Sequence, residues 1–90
     1  MLFALMAHDK PGALEIRKGN RDDHLAYIDS TRVVSQAGPL LDDDGGMVGS
    51  LVILDVADMA AARVWANNDP YAKAGLFERV DLIQWKKVIG

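Results

Sequence analysis

Two unbroken apolar runs constrain the fold of this chain more than any other feature. One spans residues 2–7 and the other spans residues 51–54. Runs of this length between turn-forming residues are typical of strands that are covered on both faces. The sequence therefore predicts a sheet in which these two segments are central strands.

Strand and helix formers alternate in an order that defines the topology. The predicted elements are a strand at 2–7, a helical region from Pro11 interrupted at Gly19-Asn20, strands at 33–41 and 47–56, a helix at 59–67 and a strand at 77–89. With right-handed crossovers, this βαββαβ order predicts an α+β, ferredoxin-like fold. Its antiparallel four-stranded sheet has the order 4-1-3-2, with two helices on one face.

Pro39 supports this strand order independently. Proline cannot donate to a strand ladder, so it favours an edge strand or a bulge, and the order 4-1-3-2 places strand 33–41 at an edge. Gly38 beside it permits close approach of a ligand or another backbone. We therefore predict that Gly38 and Pro39 contact substrate. The alternative is that these residues only protect the edge strand from pairing with another chain and contact no ligand.

The helix after Asn20 carries the first candidate site residue, His24. Asn20 is placed to cap this helix, and on a helical period Leu25 and Ile28 define its buried stripe. Arg21 lies along that stripe and His24 lies at its edge. The pattern predicts a histidine that is partly buried and partly reachable.

The second candidate site residue, Asp69, stands where a helix must end. Pro70 disfavours the α conformation at the residue before it, so the helix at 59–67 cannot continue. Asp69 is then placed to cap one further turn, which begins at Pro70 and leaves at Gly75.

The length and composition favour a small oligomeric domain. A chain of 90 residues without cysteine buries only ~60% of its unfolded surface and has no disulfide to support its core. Half of the residues are hydrophobic, and the strand at 77–89 carries apolar residues on both faces. We expect one domain, 1–90, that forms a homodimer by packing two sheets face to face as a dimeric α/β-barrel.

Charge and motif content exclude several classes of partner. The net charge is −3 and no basic run is present, so we expect no nucleic acid partner. The apolar amino-terminal run is too short for a membrane span, which predicts a cytoplasmic protein without a membrane partner. His8 and His24 lack metal-ligand spacing, and Asp42-Asp43-Asp44 lacks the later ligands of a calcium loop. We expect no metal and no cofactor.

A set of short motifs, in order along the chain, resembles the YciI-like (YCII-related) family. The motifs are Asp9-Lys10-Pro11-Gly12, residues 21–27, Ala37-Gly38-Pro39-Leu40, Asp43-Asp44-Gly45 with Gly49-Ser50, Asp69-Pro70-Tyr71 and Trp85-Lys86-Lys87. The resemblance implies a dimeric α/β-barrel and a site built on a histidine–aspartate pair, which maps onto His24 and Asp69. One branch of that family contains dehydrochlorinases of chlorinated hydroxyhydroquinones. What we carry over is the general acid–base chemistry.

His24 and Asp69 are predicted to be catalytic because their side chains suit each other. An imidazole can accept or donate a proton near neutral pH, and a carboxylate on its other nitrogen fixes the tautomer. The alternative is a helix-edge histidine and an aspartate that only caps a turn. Arg21 and Tyr71 are predicted to bind substrate. Alternatively, Arg21 pairs with a nearby acid and Tyr71 fills the helix end.

The resulting hypothesis is a small dimeric enzyme that eliminates, isomerises or hydrolyses a small, aromatic or anionic molecule. A module that binds a small ligand without catalysis is one alternative, and a pure assembly domain is another.

Overall fold

The computed structural model describes all 90 residues. The strands are β1 (Leu2–Asp9), β2 (Val34–Leu41), β3 (Met47–Asp55) and β4 (Phe77–Trp85), and the helices are α1 (Leu14–Gly19), α2 (Arg21–Thr31), α3 (Met59–Asn68) and α4 (Pro70–Lys73). Each crossover of the βαββαβ order therefore contains two helical segments rather than one.

The sheet has the predicted topology. Its strand order is β2-β3-β1-β4, and every neighbouring pair is antiparallel. This order confirms the ferredoxin-like α+β fold, with β1 and β3 at the centre. Pro39 lies in the edge strand β2, where it pairs with Ser50, and the register shifts of β2 fall at other residues. The edge position predicted for Pro39 is therefore confirmed, and the alternative of a bulge there is wrong.

One face of the sheet packs against the helices and forms the core. The central strands contribute Phe3, Leu5 and Leu54, each at most 1% exposed, and α3 contributes Ala62 and Trp65. Burying a side chain of this size stabilises a fold by roughly 1.5–3 kcal/mol. The alternate residues of the strands point to the opposite face, which no helix covers.

Hydrogen bonds fix α2 relative to α3 and so set the position of His24. The Tyr27 hydroxyl donates to the Trp65 carbonyl at 2.9 Å, and the Trp65 indole nitrogen donates to Thr31 Oγ1 at 2.9 Å. The helix α3 begins after Asp58, whose carboxylate accepts the Ala61 backbone N–H at 2.8 Å. Aspartate is one of the residues preferred at the N-cap of a helix.

Three local expectations are wrong. Asn20 does not cap α2 with its side chain, because its amide donates back to the Ile16 carbonyl at 2.9 Å. The strand predicted at 77–89 ends at Trp85, where the β1–β4 ladder ends at Leu2. The strand β1 continues past Ala7 to Asp9, because His8 pairs with Arg79 and Asp9 pairs with Phe77.

No helix in the structure combines the length and the hydropathy that crossing a lipid bilayer requires.

Candidate active site

A cavity of about 260 Å³ opens between the helices α1 and α2 and the β2–β3 side of the sheet. Ligand pockets usually measure roughly 300–1,000 Å³, so this cavity suits a small molecule. Its lining contains all but one of the predicted site residues: Arg21, His24, Gly38, Pro39 and Tyr71. Asp69, the exception, lies behind His24.

His24 and Asp69 meet, although they are 45 positions apart in the chain. His24 Nδ1 and Asp69 Oδ1 are 2.7 Å apart, and the two side chains are 8% and 2% exposed. At this distance the ring and the carboxylate share a hydrogen bond, with Nδ1–H as the donor when Nε2 is unprotonated. Their catalytic role remains a prediction.

The local sequence of α4 aims the Asp69 carboxylate. Pro70 at the first position of α4 holds Asp69 in an extended conformation, with φ −62° and ψ 128°. In that conformation Asp69 Oδ1 accepts the Tyr71 backbone N–H at 3.0 Å. The same oxygen therefore caps α4 and binds the imidazole. Asp69 was considered above either as a helix cap or as the catalytic partner of His24, and this geometry makes the two roles compatible.

His24 lies deeper than the helical period predicts. It is 6% exposed, whereas Leu25, which the period assigns to the buried stripe, is 43% exposed and faces the cavity. The helical period gave the wrong depth for His24 because α2 packs against α4 at this point as well as against the sheet. The imidazole stacks on the Tyr71 ring, with 3.9 Å between centroids and 15° between planes. Tyr71 thus fills the helix end and lines the cavity.

Arg17 is the site residue that the sequence reasoning missed. It is 3% exposed, and it binds the Asp9 carboxylate with two hydrogen bonds, Nε–Oδ2 at 2.7 Å and Nη2–Oδ1 at 2.9 Å. Its Nη2 also donates to Ser50 Oγ at 2.9 Å. Burial alone lowers the pKa of Arg17, but the hydrogen bonds and charge of Asp9 outweigh it and raise that pKa, so the guanidinium stays charged.

The residues that bury Arg17 are present in the sequence, but none of them is its neighbour in the chain. Asp9 stands in one of the family-like motifs and Arg17 in the next helix, eight positions later. Only the fold shows that α1 turns back over the end of β1 and brings the two together. Helix-forming sequence alone gave no reason to bury an arginine there.

The remaining predicted binding residues line the cavity without a competing role. Arg21 forms no ion pair within the chain, so the alternative pairing with a nearby acid is absent. Gly38 and Pro39 form part of the cavity wall on β2. His8 lies elsewhere, beside Arg79 and Asp81, with 3.8 Å between His8 Nε2 and Asp81 Oδ2. Binding of a ligand by Arg21, Gly38, Pro39 and Tyr71 remains a prediction.

Two tyrosines, the buried Tyr71 and the half-buried Tyr27, predict a loss of stability at alkaline pH. Burial raises the pKa of Tyr71, against the positive charges of Arg17 and Arg21, and burial together with the charge of Asp69 raises the pKa of Tyr27. A phenol whose pKa is higher in the folded state stabilises the fold below its unfolded pKa of about 10. That stability is lost as the pH rises through the folded value.

We expect the free energy of unfolding in urea to fall above pH ~10. Tyr27→Phe should lower stability at pH 8, because the hydrogen bond to Trp65 is lost. It should also make the alkaline fall shallower. Parallel urea titrations from pH 8 to pH 11 check this, and an equally steep fall in the variant would contradict it.

The fold and the cavity define a class of protein: a ferredoxin-like α+β domain with a histidine–aspartate pair at a small pocket. The chain matches the family model of the YCII-related domain over residues 1–86. It is 39% identical to the protein YciI of Escherichia coli O6:H1 over 98 aligned positions, which cover 98% of this chain and 99% of that protein. The chain therefore belongs to the YCII-related domain family.

Solved structures agree with this assignment. The 5-chloro-2-hydroxyhydroquinone dehydrochlorinase TftG of Burkholderia phenoliruptrix AC1100, in complex with 2,5-dihydroxybenzoquinone, is 35% identical, with a TM-score of 0.87. The match covers 96% of this chain and 94% of TftG. An antibiotic biosynthesis monooxygenase has a TM-score of 0.59 at 13% identity over 99% of this chain and 100% of its own, which shows a common fold alone.

Proposed function

We propose that this protein is a small enzyme that uses His24 and Asp69 as an acid–base pair on a small aromatic or anionic molecule. His24 Nε2 is the proton acceptor and later the donor, and Asp69 orients the ring and stabilises the imidazolium. Such a pair can serve elimination, isomerisation and hydrolysis alike.

The observation that carries this proposal is the position of the two ring nitrogens of His24. Nδ1 is 2.7 Å from Asp69 Oδ1, while Nε2 makes no hydrogen bond within the chain. No fully enclosed side-chain nitrogen or oxygen lacks a partner, so Nε2 is not fully enclosed, and His24 lines the cavity. One nitrogen is fixed by a carboxylate and the other is free to accept a substrate proton.

The charge around the cavity supports an anionic substrate. Arg17, Lys18 and Arg21 line it, and no acidic residue does, although the chain as a whole carries a net charge of −3. Family membership adds a second argument. The relative TftG is a dehydrochlorinase with a dihydroxybenzoquinone bound in its structure, which favours a substrate built on one small ring.

Ligand binding and turnover test the proposal in the unmodified protein. We expect 2,5-dihydroxybenzoquinone to raise the melting temperature, since a ligand at a hundredfold excess over its Kd adds about 2.7 kcal/mol to the free energy of unfolding. Chloride release from 5-chloro-2-hydroxyhydroquinone, together with absorbance changes in a panel of small phenols and enolisable acids, measures turnover. Binding without turnover of any compound would favour the non-catalytic module instead.

We also propose that the enzyme is a homodimer formed through the sheet face opposite the helices. Leu51, Ile83 and Trp85 lie on that face, as their register with Met6, Ala4 and Leu2 shows, and they are 38%, 60% and 37% exposed. Contiguous exposed apolar side chains on a small domain mark an interface. A second copy would cover them by two-fold packing.

A charge on this face should separate the two copies. Ile83→Glu is expected to shift the protein from dimer to monomer in sedimentation analysis, because it buries an unpaired carboxylate in the interface. Val64→Glu is the matched control, since Val64 is 61% exposed on α3. A wild-type monomer at high concentration, or an Ile83→Glu variant that dimerises as strongly as Val64→Glu, would refute the interface.

A further inference from the structure

Arg17 carries hydrogen-bond donors that the chain itself does not use. A guanidinium has five N–H donors in a fixed plane. Nε and Nη2 are committed to Asp9 and Ser50, which leaves the two donors of Nη1. A hydrogen bond with the Tyr71 hydroxyl also contributes to the raised pKa of Arg17. Because Arg17 and Tyr71 both line the cavity, the Nη1 donors belong to its wall.

These donors are held in place. The two bonds to Asp9 and the bond to Ser50 tie the guanidinium to the end of β1 and to β3, and the arginine is only 3% exposed. Its central carbon also lies 4.8 Å from the centroid of the Tyr71 ring. A group fixed on three sides needs no rearrangement to meet a developing charge, and this is what makes such donors effective in catalysis.

Arg17 and His24 share a neighbour that sets their relative position. Both pack on the ring of Tyr71, the guanidinium at 4.8 Å and the imidazole at 3.9 Å from its centroid. Burial raises the pKa of Tyr71 and a hydrogen bond with Arg17 opposes that rise, so the phenol and the guanidinium interact in the cavity wall. A small substrate in the cavity can thus meet the proton acceptor of His24, the Nη1 donors of Arg17 and a phenolic donor together.

We propose that Arg17 Nη1 binds a substrate oxygen that becomes negatively charged when His24 removes a proton. The inference rests on the function proposed above and names its substrate class, a small ring or acid whose C–H bond is α to a carbonyl group or conjugated with one, so that a cyclic dienone gives a phenolate. The C–H bond breaks, the proton goes to His24 Nε2, and the electron pair moves through the conjugated system onto that oxygen. Arg17 and the Tyr71 hydroxyl bind the resulting enolate or phenolate, and no further reactant is required.

The alternative for Arg17 is a purely structural ion pair with Asp9. A buried pair explains the burial and the charge, but it uses only Nε and Nη2 and leaves the Nη1 donors beside Tyr71 in the cavity wall. A lysine at this position would neutralise Asp9 and leave no planar donor pair. The two roles are therefore separable by experiment.

The probe for this site is 4-nitrophenol, whose phenolate is yellow and whose phenol is not. We expect the probe bound to the wild-type protein to ionise at lower pH than the free probe, because the Nη1 donors stabilise the phenolate. Arg17→Lys should weaken phenolate binding at least tenfold and leave the binding of neutral 4-nitroanisole unchanged. Lys18→Gln, which removes a positive charge from the same cavity, should weaken phenolate binding by less than threefold.

Two further measurements keep the outcome decisive. His24→Gln should retain the phenolate affinity of the wild type within threefold, so the oxyanion site can be confirmed even if the proposed reaction fails. The ionisation shift is measured in the wild-type protein, so its absence overturns the proposal even if Arg17→Lys does not fold. The proposal is overturned if the bound probe ionises as it does free in water, if no phenolate binds, or if folded Arg17→Lys binds it as tightly as the wild type.

Discussion

Replacing His24 by glutamine should lower turnover by about 10²- to 10⁴-fold, the usual contribution of a general acid–base group. Asp69→Asn should lower it on a similar scale, because the amide no longer stabilises the imidazolium. The amide oxygen can still accept the Tyr71 backbone N–H that Asp69 Oδ1 binds at 3.0 Å. The variant should therefore remain folded, and melting curves recorded beside the rates check that the loss is chemical.

His8→Gln is the matched control for this experiment. The chain has two histidines, and His8 lies outside the cavity with a 40% exposed side chain beside Asp81. Its replacement should leave the rate unchanged. If an activity were found and both His24→Gln and Asp69→Asn kept the full rate, the assignment of the pair would be wrong.

Gly49→Ala should destabilise the fold by about 3 kcal/mol, at the upper end of the usual cost of overpacking. A Cβ on Gly49 would lie 2.3 Å from the Ala7 carbonyl oxygen. This contact is with backbone, which cannot rotate away, and Gly49 lies opposite His8 in the central β1–β3 pair. The strands must therefore separate locally. For a domain of this size the melting temperature should fall by more than about 10 °C.

Gly38→Ala separates this steric effect from the general cost of replacing a strand glycine. Gly38 lies in the neighbouring strand β2, where an added Cβ meets nothing within 4 Å and φ is not positive. Its replacement should leave the melting temperature the same or slightly higher. Equal destabilisation by the two variants would show that the close approach at Ala7 does not limit the fold.

The strand order was readable from the sequence because each strand carries a local sign of its place. The apolar runs mark β1 and β3 as central, and Pro39 marks β2 as an edge. The helix end at Asp69 was equally local, since Pro70 forces it. Each of these signals depends only on residues that are neighbours in the chain, and the structure agrees with all of them.

The interior of the site was less readable because it depends on contacts between distant segments. Arg17 is buried by Asp9 and Ser50, and the latter is 33 positions away. His24 is buried by α4, and the hydrophobic period of α2 contains no information about that contact. A helical period records which side of a helix is apolar, but it does not tell which element will cover that side. The helical period also gives no sign of polar residues that are buried as hydrogen-bonded pairs.

The double use of Asp69 Oδ1 has a consequence for how such a protein can change over time. Because one atom both closes a turn and aligns a ring, replacements of Asp69 that lack a side-chain oxygen disturb the start of α4 as well as the chemistry, whereas asparagine keeps the cap and loses only the charge. In a descendant that lost its substrate, selection on the fold would retain an oxygen acceptor at this position but not the negative charge. New activities can arise in such a lineage through substitutions at the mouth of the cavity that leave the residues at its base unchanged.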